Sequence, residues 1–225
     1  MSVKNLFGAD HPQIVYTADS SFNGKINVWS HGPSSVLEVG GYPQSVSLNT
    51  PDLPQRYWFK ATEEVASRLS NPRRALIIGV GGATILHLLS LKFPGIIIVG
   101  VEIDAEIIKI ARQFFDLDRI PNLEVVTGDG GEYAASYQGE PFDLVFVDAY
   151  LGGNFPLHFE DSDFLRQLRQ ITNLSGLLAI NRTGGFDRRK FQEMLAEKFG
   201  KVEMAKIPLP GFLGGMGGNY LYLCR

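Results

Sequence analysis

The chain is short of the side chains that hold metals and cross-links: 225 residues carry one cysteine and four histidines, and no run of Lys or Arg exceeds three. A lone Cys224 excludes an intrachain disulfide and a multi-cysteine metal site, and its place reads as a small apolar residue finishing a strand. His11 and His31 have no partners at ligand spacing, so no metal is expected. Net charge is −3 and the only basic clusters are short, such as Arg73-Arg74 and Arg188-Arg189-Lys190. Nucleic acid is therefore not expected as a partner. No apolar run approaches the roughly 18 residues of a membrane span, and Met1 to Pro12 has no signal-peptide centre. The expectation is a cytoplasmic protein in a reducing compartment with no membrane partner.

What the chain does have is a set of apolar runs that stop on glycine or on an acid. Ala75 to Ile78 ends before Gly79, Ile96 to Val101 before Glu102, Leu123 to Thr127 before Gly128-Asp129, and Leu144 to Val147 before Asp148. Buried parallel strands read as continuous β-branched runs, and open α/β sheets bind ligands just beyond the carboxyl ends of their strands. Four strand ends would line one crevice.

Around these runs the chain alternates strand and helix. Helices are expected at 84–92, 105–115, 161–171 and 187–198, with a short turn after Gly131, and further strands at 175–180, 201–207 and 220–223. The Gly-rich connection 208–218 allows only an antiparallel pairing of the last two strands, and reads as a plain hairpin linker more readily than as a mobile lid. Upstream, 14–16, 25–29, 35–39 and 45–48 alternate like antiparallel strands, separated by Asn23-Gly24, His31-Gly32-Pro33 and Gly40-Gly41. Thr50-Pro51-Asp52 then reads as the start of a helix running to Leu69. The predicted fold is α/β: a Rossmann-like, mostly parallel, seven-stranded sheet over 51–225, preceded by a small antiparallel β-unit over 1–50.

The first strand-to-helix turn, Gly79-Val80-Gly81-Gly82-Ala83-Thr84, lets backbone approach a ligand closely. A dinucleotide fingerprint would have glycine where Thr84 stands, which weighs against NAD. Glu102, 23 positions after Gly79, is placed to accept two ribose hydroxyls, and Asp129, followed by Gly130, is placed to take an adenine amino group. A carboxylate there repels phosphate. The order of glycine loop, ribose acid and base acid describes a nucleoside bound without phosphates. Helix N-capping is the plainer reading of Asp104 and Asp129, each of which precedes a helix.

Taken together, Leu76-Ile77-Ile78-Gly79, Val101-Glu102-Ile103-Asp104, Gly128-Asp129-Gly130, Phe142 to Asp148 and Ile207-Pro208 with Tyr220 to Cys224 resemble the class I S-adenosylmethionine-dependent methyltransferase fold. More narrowly they resemble the spermidine synthases, the polyamine aminopropyltransferases; Gly41-Tyr42-Pro43-Gln44 resembles part of the small β-domain those enzymes carry. The resemblance implies S-adenosylmethionine or its decarboxylated form as co-substrate, held by Gln44, Gly79, Gly81, Glu102, Asp129 and Gly130. It also implies an amine acceptor, methylthioadenosine as product, no metal, and a homodimer.

Asp148 is the residue on which the chemistry rests in this reading. An amine of pKa about 10 is neutral in only about one molecule in a thousand at pH 7, and a carboxylate at this strand exit can orient the ammonium and take its proton. A turn-former at the strand end is the alternative. Tyr57, Tyr150 and His158 are carried as substrate contacts, whereas His87 reads as a helix-face residue. Three positions depart from the family: Gly82 stands where an aspartate holds the donor's propylamine, Leu151 where a second aspartate follows Asp148, and Tyr57-Trp58 where a tyrosine-glutamine or tyrosine-histidine pair is usual. The stretch Asp148-Ala149-Tyr150, with Pro156 and His158 after it, is similar to divergent spermidine-synthase-like proteins. The leading expectation is transfer of an aminopropyl or related alkyl group to an amine. Methyl transfer from intact S-adenosylmethionine is the runner-up, and a catalytically silent adenosyl-binding protein stands third.

Overall fold

The computed structural model describes residues 12–208 and 218–225. His11 and residues 209–217 of the expected connection lie outside the described residues. The chain order is β1 (Gln13–Ser20), β2 (Gly24–His31), β3 (Ser34–Val39), β4 (Tyr42–Val46), α1 (Tyr57–Ala66), β5 (Arg74–Ile78), α2 (Thr84–Lys92), β6 (Ile97–Glu102), α3 (Ala105–Phe114), β7 (Leu123–Thr127), α4 (Gly130–Ser136), β8 (Phe142–Val147), α5 (Ser162–Ile171), β9 (Thr172–Thr183), α6 (Arg188–Ala196), β10 (Val202–Pro208) and β11 (Gly218–Cys224).

Seven strands form the main sheet in the order β10-β11-β9-β8-β5-β6-β7. β5 to β9 run parallel and β11 lies antiparallel between β9 and β10. Because side chains alternate across a strand, Ala75 and Ile77 pack on one face of β5 with α1 and α2, while Leu76 and Ile78 pack on the other with α5 and α6. Burial on both faces accounts for the unbroken apolar runs. Cys224 ends β11 as a buried free thiol, which burial pushes up to about 12.

β1 to β4 form a second, antiparallel sheet in sequence order. Its inner face, Ile26, Val28, Leu37 and Val39, packs on Ile107, Ile110 and Phe115 of the α3 region. Polar contacts fix the seat. Asp104, the N-cap of α3, accepts the Glu106 N–H at 3.0 Å, Asn23 Nδ2 at 2.8 Å and the Ser20 hydroxyl. At the other end of the sheet, Thr84 Oγ1 donates to the Val46 carbonyl at 2.6 Å and accepts the Val46 N–H at 3.1 Å.

Several predicted boundaries move. The helix expected from residue 50 begins at Tyr57, because Leu53–Gln55 forms a 3-10 turn and Arg56 is extended at φ −80°, ψ 157°. Prolines at 51 and 54 contribute to this: Thr50, before Pro51, is biased away from the helical region, and Pro54, in the first turn of the 3-10 helix, has no N–H to donate. The fourth strand starts earlier, at Tyr42, directly after a Gly40-Gly41 turn with both φ positive. The turn after Gly131 is a seven-residue helix. β9 extends three residues beyond the predicted Ile180, carrying polar side chains past the end of the apolar run.

Candidate active site

A cavity of about 630 Å³ opens at the carboxyl ends of β5, β6, β7 and β8 and is roofed by β4 and the loop after β8. Gly79, Gly81, Glu102, Asp129, Gly130 and Asp148 all line it, as do Gln44, Tyr57 and Tyr150. Gly79 has to be glycine: its φ is +95°, and a Cβ would stand 2.4 Å from the Asp148 carbonyl oxygen. That closeness follows from the ladder, in which the Asp148 N–H donates to Ile78 and the Gly79 N–H to Val101.

Glu102 is buried, and its carboxylate faces the glycine loop. Oε2 accepts the N–H groups of Val80 at 3.0 Å and Gly81 at 3.2 Å, and Oε1 accepts that of Asp104 at 3.2 Å. Burial raises its pKa and the three backbone donors oppose the rise. An ionised carboxylate offers about four acceptor positions, of which these N–H groups take three.

Asp129 is the N-cap of α4, its Oδ1 accepting from Gly131 at 2.8 Å and Glu132 at 3.0 Å. The plainer reading of Asp104 and Asp129 thus applies to both as geometry. Asp129 Oδ2 meets His158 Nε2 at 3.1 Å. His158 itself is half exposed and is not among the cavity-lining residues; its ring packs edge-on against Phe159, which turns the imidazole toward Asp129. His158 thus stands beside the cavity through its contact with Asp129. His87 is likewise outside the site, with Nε2 2.8 Å from the Phe115 carbonyl oxygen and burial lowering its pKa.

The loop after β8 folds over the cavity through a tight turn in which Leu151 and Asn154 exchange backbone hydrogen bonds at 2.8 and 3.0 Å. Gly152 and Gly153 take φ of +56° and +86° at its tip, the pair of positive values that glycine adopts without strain. The Gly152 N–H donates to Asn23 Oδ1 at 3.2 Å, joining this loop to the small sheet. On the far side Arg182, buried beneath the loop, donates to Glu160 at 2.7 Å and lies 4.1 Å from the ring centres of Phe155 and Phe186.

Asp148 sits among neutral polar groups. Asn181 Nδ2 donates to its Oδ1 at 2.7 Å, and burial raises the carboxyl to about 6 against the pull of that bond. Burial, and after it the neighbouring Asp148, hold the Tyr57 phenol well above the usual range, its hydroxyl lying within reach of Asp148 and Asn219. Asn181 Oδ1 is buried with no partner among the described residues. Tyr150 is locked: its hydroxyl donates to the Asn181 carbonyl at 3.2 Å and accepts from the Thr183 N–H at 2.9 Å.

Asn181 and Asn219, both cavity-lining, are absent from the sequence reading. The first was open to discovery, since the run Leu177 to Ile180 stops at Asn181 as the others stop at acids. The second was not. Asn219 opens an antiparallel strand, so it is the start of β11 and not its end that reaches the cavity.

At Gly82, where the resemblance leads one to look for an acid, the N–H donates to Ser45 Oγ at 2.7 Å, and a Cβ would meet Ser45 Cβ at 2.7 Å and Phe115 at 3.1 Å. β4 fills the space a side chain would need. Among the described residues no group of three or more His, Cys, Asp or Glu is arranged to hold a metal, and no helix is long and apolar enough to cross a membrane.

Comparison with known proteins places this geometry. The family model for the spermine/spermidine synthase domain matches residues 62–208. A polyamine aminopropyltransferase from Vibrio vulnificus is 31% identical over 152 residues, covering 66% of this chain and 51% of its own. The chain thus spans about half the length of that curated relative. In fold, it matches the crystal structure of spermidine synthase from Thermotoga maritima with a TM-score of 0.76 at 17% identity, over 94% of this chain and 72% of that one. Human methyltransferase-like protein 13, solved in complex with SAH, matches at a TM-score of 0.58 and 21% identity, over 75% and 77% of the two chains. At these identities the structural matches speak to fold alone.

Proposed function

Since the chain belongs to the spermine/spermidine synthase family, we propose that it is a transferase moving an aminopropyl or related alkyl group from an adenosyl sulfonium to an amine. One observation carries this reading: a half-buried carboxylate, Asp148, whose pKa of about 6 suits proton acceptance near neutrality, opens into the same cavity as the glycine loop and Glu102. A volume of about 630 Å³ is within the ordinary range for a small-molecule site.

In this proposal the donor is decarboxylated S-adenosylmethionine, which supplies an electrophilic carbon and a neutral thioether leaving group. Gly79 and Gly81 admit it to the backbone, Glu102 takes one ribose hydroxyl, and Asp129 with Gly130 and Gln44 bounds the base and the roof. Asp148 orients the acceptor ammonium and removes a proton. The nitrogen lone pair then forms the new N–C bond as the C–S bond breaks, its electron pair passing to sulfur. Alignment and water exclusion supply the remainder of the rate. Tyr57 and Tyr150 wall the acceptor side.

A specific feature favours a second reading, methyl transfer from intact S-adenosylmethionine: with Ser45 packed against Gly82, the loop has no acid to pair with a donor ammonium or to repel a donor carboxylate. The two readings separate by product. With decarboxylated donor and an amine, release of methylthioadenosine is expected; release of S-adenosylhomocysteine from the intact donor, or binding of the intact donor tenfold tighter by calorimetry, about 1.4 kcal/mol, selects methyl transfer. The proposal extends to a homodimer acting in the cytoplasm, with the N-terminal β-unit ending near residue 50. Exposed Ile14 and Val15 on edge strand β1 support the pairing, and sedimentation checks it.

A further inference from the structure

The extension of β9 past its apolar run sets Asn181 and Arg182 on opposite faces of one strand. Asn181 meets Asp148 at 2.7 Å on the cavity side. Arg182 turns the other way, its guanidinium carbon 4.1 Å from the ring centres of Phe155 and Phe186 and 4.7 Å from that of Phe191 on α6. The side chain is only 4% exposed. Nη2 donates to Glu160 Oε1 at 2.7 Å, while Nε and Nη1 are buried beside the rings with no hydrogen-bond partner among the described residues.

Glu160 is itself 40% exposed, so a buried cation is balanced by one carboxylate that remains partly in water. Removing a guanidinium from water is costly, and an apolar side chain of similar volume within the same three rings would avoid that penalty. Stacking on the rings offsets only part of it. What arginine adds is direction, because a planar fork with one bonded edge and covered faces gives its partners a single seat. Those partners belong to the loop after β8. At its start the loop is tied to β9 by Tyr150, whose hydroxyl bonds the Asn181 carbonyl and the Thr183 N–H, and further along by Phe155 and Glu160 on Arg182. Phe155 passes the contact on, edge-on to Tyr150 at 6.0 Å and to Phe159 at 5.9 Å. Tyr150 and Phe159 both line the cavity, and Arg182 is not among the lining residues.

We propose that Arg182 is a positioning residue for transfer: by seating Phe155 and Glu160 on β9 it fixes the loop that carries Tyr150 and limits water at Asp148, without touching either substrate. The consequence for turnover rests on the transfer reading above, to which this adds a residue behind the wall of the site.

The test is Arg182→Met in the full chain, followed by amide hydrogen exchange and by transfer from decarboxylated S-adenosylmethionine to 1,4-diaminobutane. Methionine fills the ring box with no charge to bury, so Tm is expected to hold or rise. Exchange at Leu151, Gly152 and Asn154, whose N–H groups are bonded in the closed loop, is expected to quicken about tenfold or more while that of β5 stays as it was. Turnover is expected to fall about 100-fold. The acid limb of its pH profile is expected to move below about 6, because Asp148, faced by Tyr57, Tyr150 and Asn181, is raised by burial and water reaching it lowers it again. Loss of a nearby cation acts in the opposite direction and raises a carboxylate, so the sign of the movement separates a lost seat from a lost charge. Unchanged loop exchange, a limb that stays or moves up, or a loss of turnover that only follows a loss of folded protein overturns the proposal. Should Arg182→Met fail to fold, Glu160→Gln loosens the same contact from its half-exposed side and is read by the same exchange and turnover measurements. If the unaltered chain shows no turnover, the transfer reading fails, and loop exchange alone decides whether Arg182 provides the seat.

Discussion

The two ends of the cavity solve opposite problems with the same chemistry. At the glycine-loop end the carboxylates of Glu102 and Asp129 are engaged by backbone N–H groups, which ties them to the loops beside them. At the Asp148 end a carboxylate of raised pKa stands among neutral side chains, one of which, Asn181, has a buried amide oxygen left unpaired. Saturated polar groups make a rigid receptor. Unsaturated ones mark where folding stability has been given up, and such positions are where a reacting ligand completes the structure.

The contrast is broken most sharply by Asp148→Asn, expected to lower transfer about 100- to 10,000-fold while methylthioadenosine still binds in calorimetry. Retained turnover would mean that the reacting end lies elsewhere. In the unaltered chain, turnover should rise as pH passes about 6, where Asp148 ionises, in addition to the rise from the amine's own titration. Next in size, Glu102→Ala strips the partner from three N–H groups at about 1 to 3 kcal/mol for each group left dry. Its signature is a methylthioadenosine affinity weakened more than tenfold together with a lower Tm.

Asp148→Asn also has a stability signature of opposite sign. Burial raises the folded-state pKa from 3.8 to about 6, so the folded chain holds that proton more tightly than the unfolded chain does. The resulting stabilisation is full below about pH 4 and is lost as pH climbs through about 6. Urea melts at pH 7 should therefore find the asparagine variant more stable by about 2 to 3 kcal/mol, and the two chains nearly equal at pH 4. Gly82→Asp, the change that resemblance alone would suggest as a restoration, is expected to destabilise by about 1 to 3 kcal/mol through overpacking against Ser45. Ser45→Gly in the same chain should recover part of the loss. Smallest of all, His158→Ala removes a half-exposed pair with Asp129 and should shift stability by less than about 1 kcal/mol.

Periodicity was enough to read the main sheet, because β5, β7 and α2 are set by local pattern and their predicted limits fall within a residue of those observed. It was also enough to collect the strand-end acids at one crevice. What local pattern could not carry was anything decided by docking. Ser45 against Gly82, Ser20 and Asn23 on Asp104, and Asn219 entering from an antiparallel strand all depend on where the small sheet and β11 come to rest. The helix expected at residue 50 failed for a local reason, two prolines in four positions, which the same sequence contained.

Val46 shows how a sheet can be finished without a further strand. β4 is the border of the small sheet, and the outward backbone groups of Val46 are met by the Thr84 hydroxyl, which both donates and accepts. A border closed in this way offers no template to a foreign strand at that residue. The same hydroxyl opens α2 at the mouth of the glycine loop, so whatever firms that loop also seals the border, and a nucleoside arriving at one would be felt as protection from hydrogen exchange at the other.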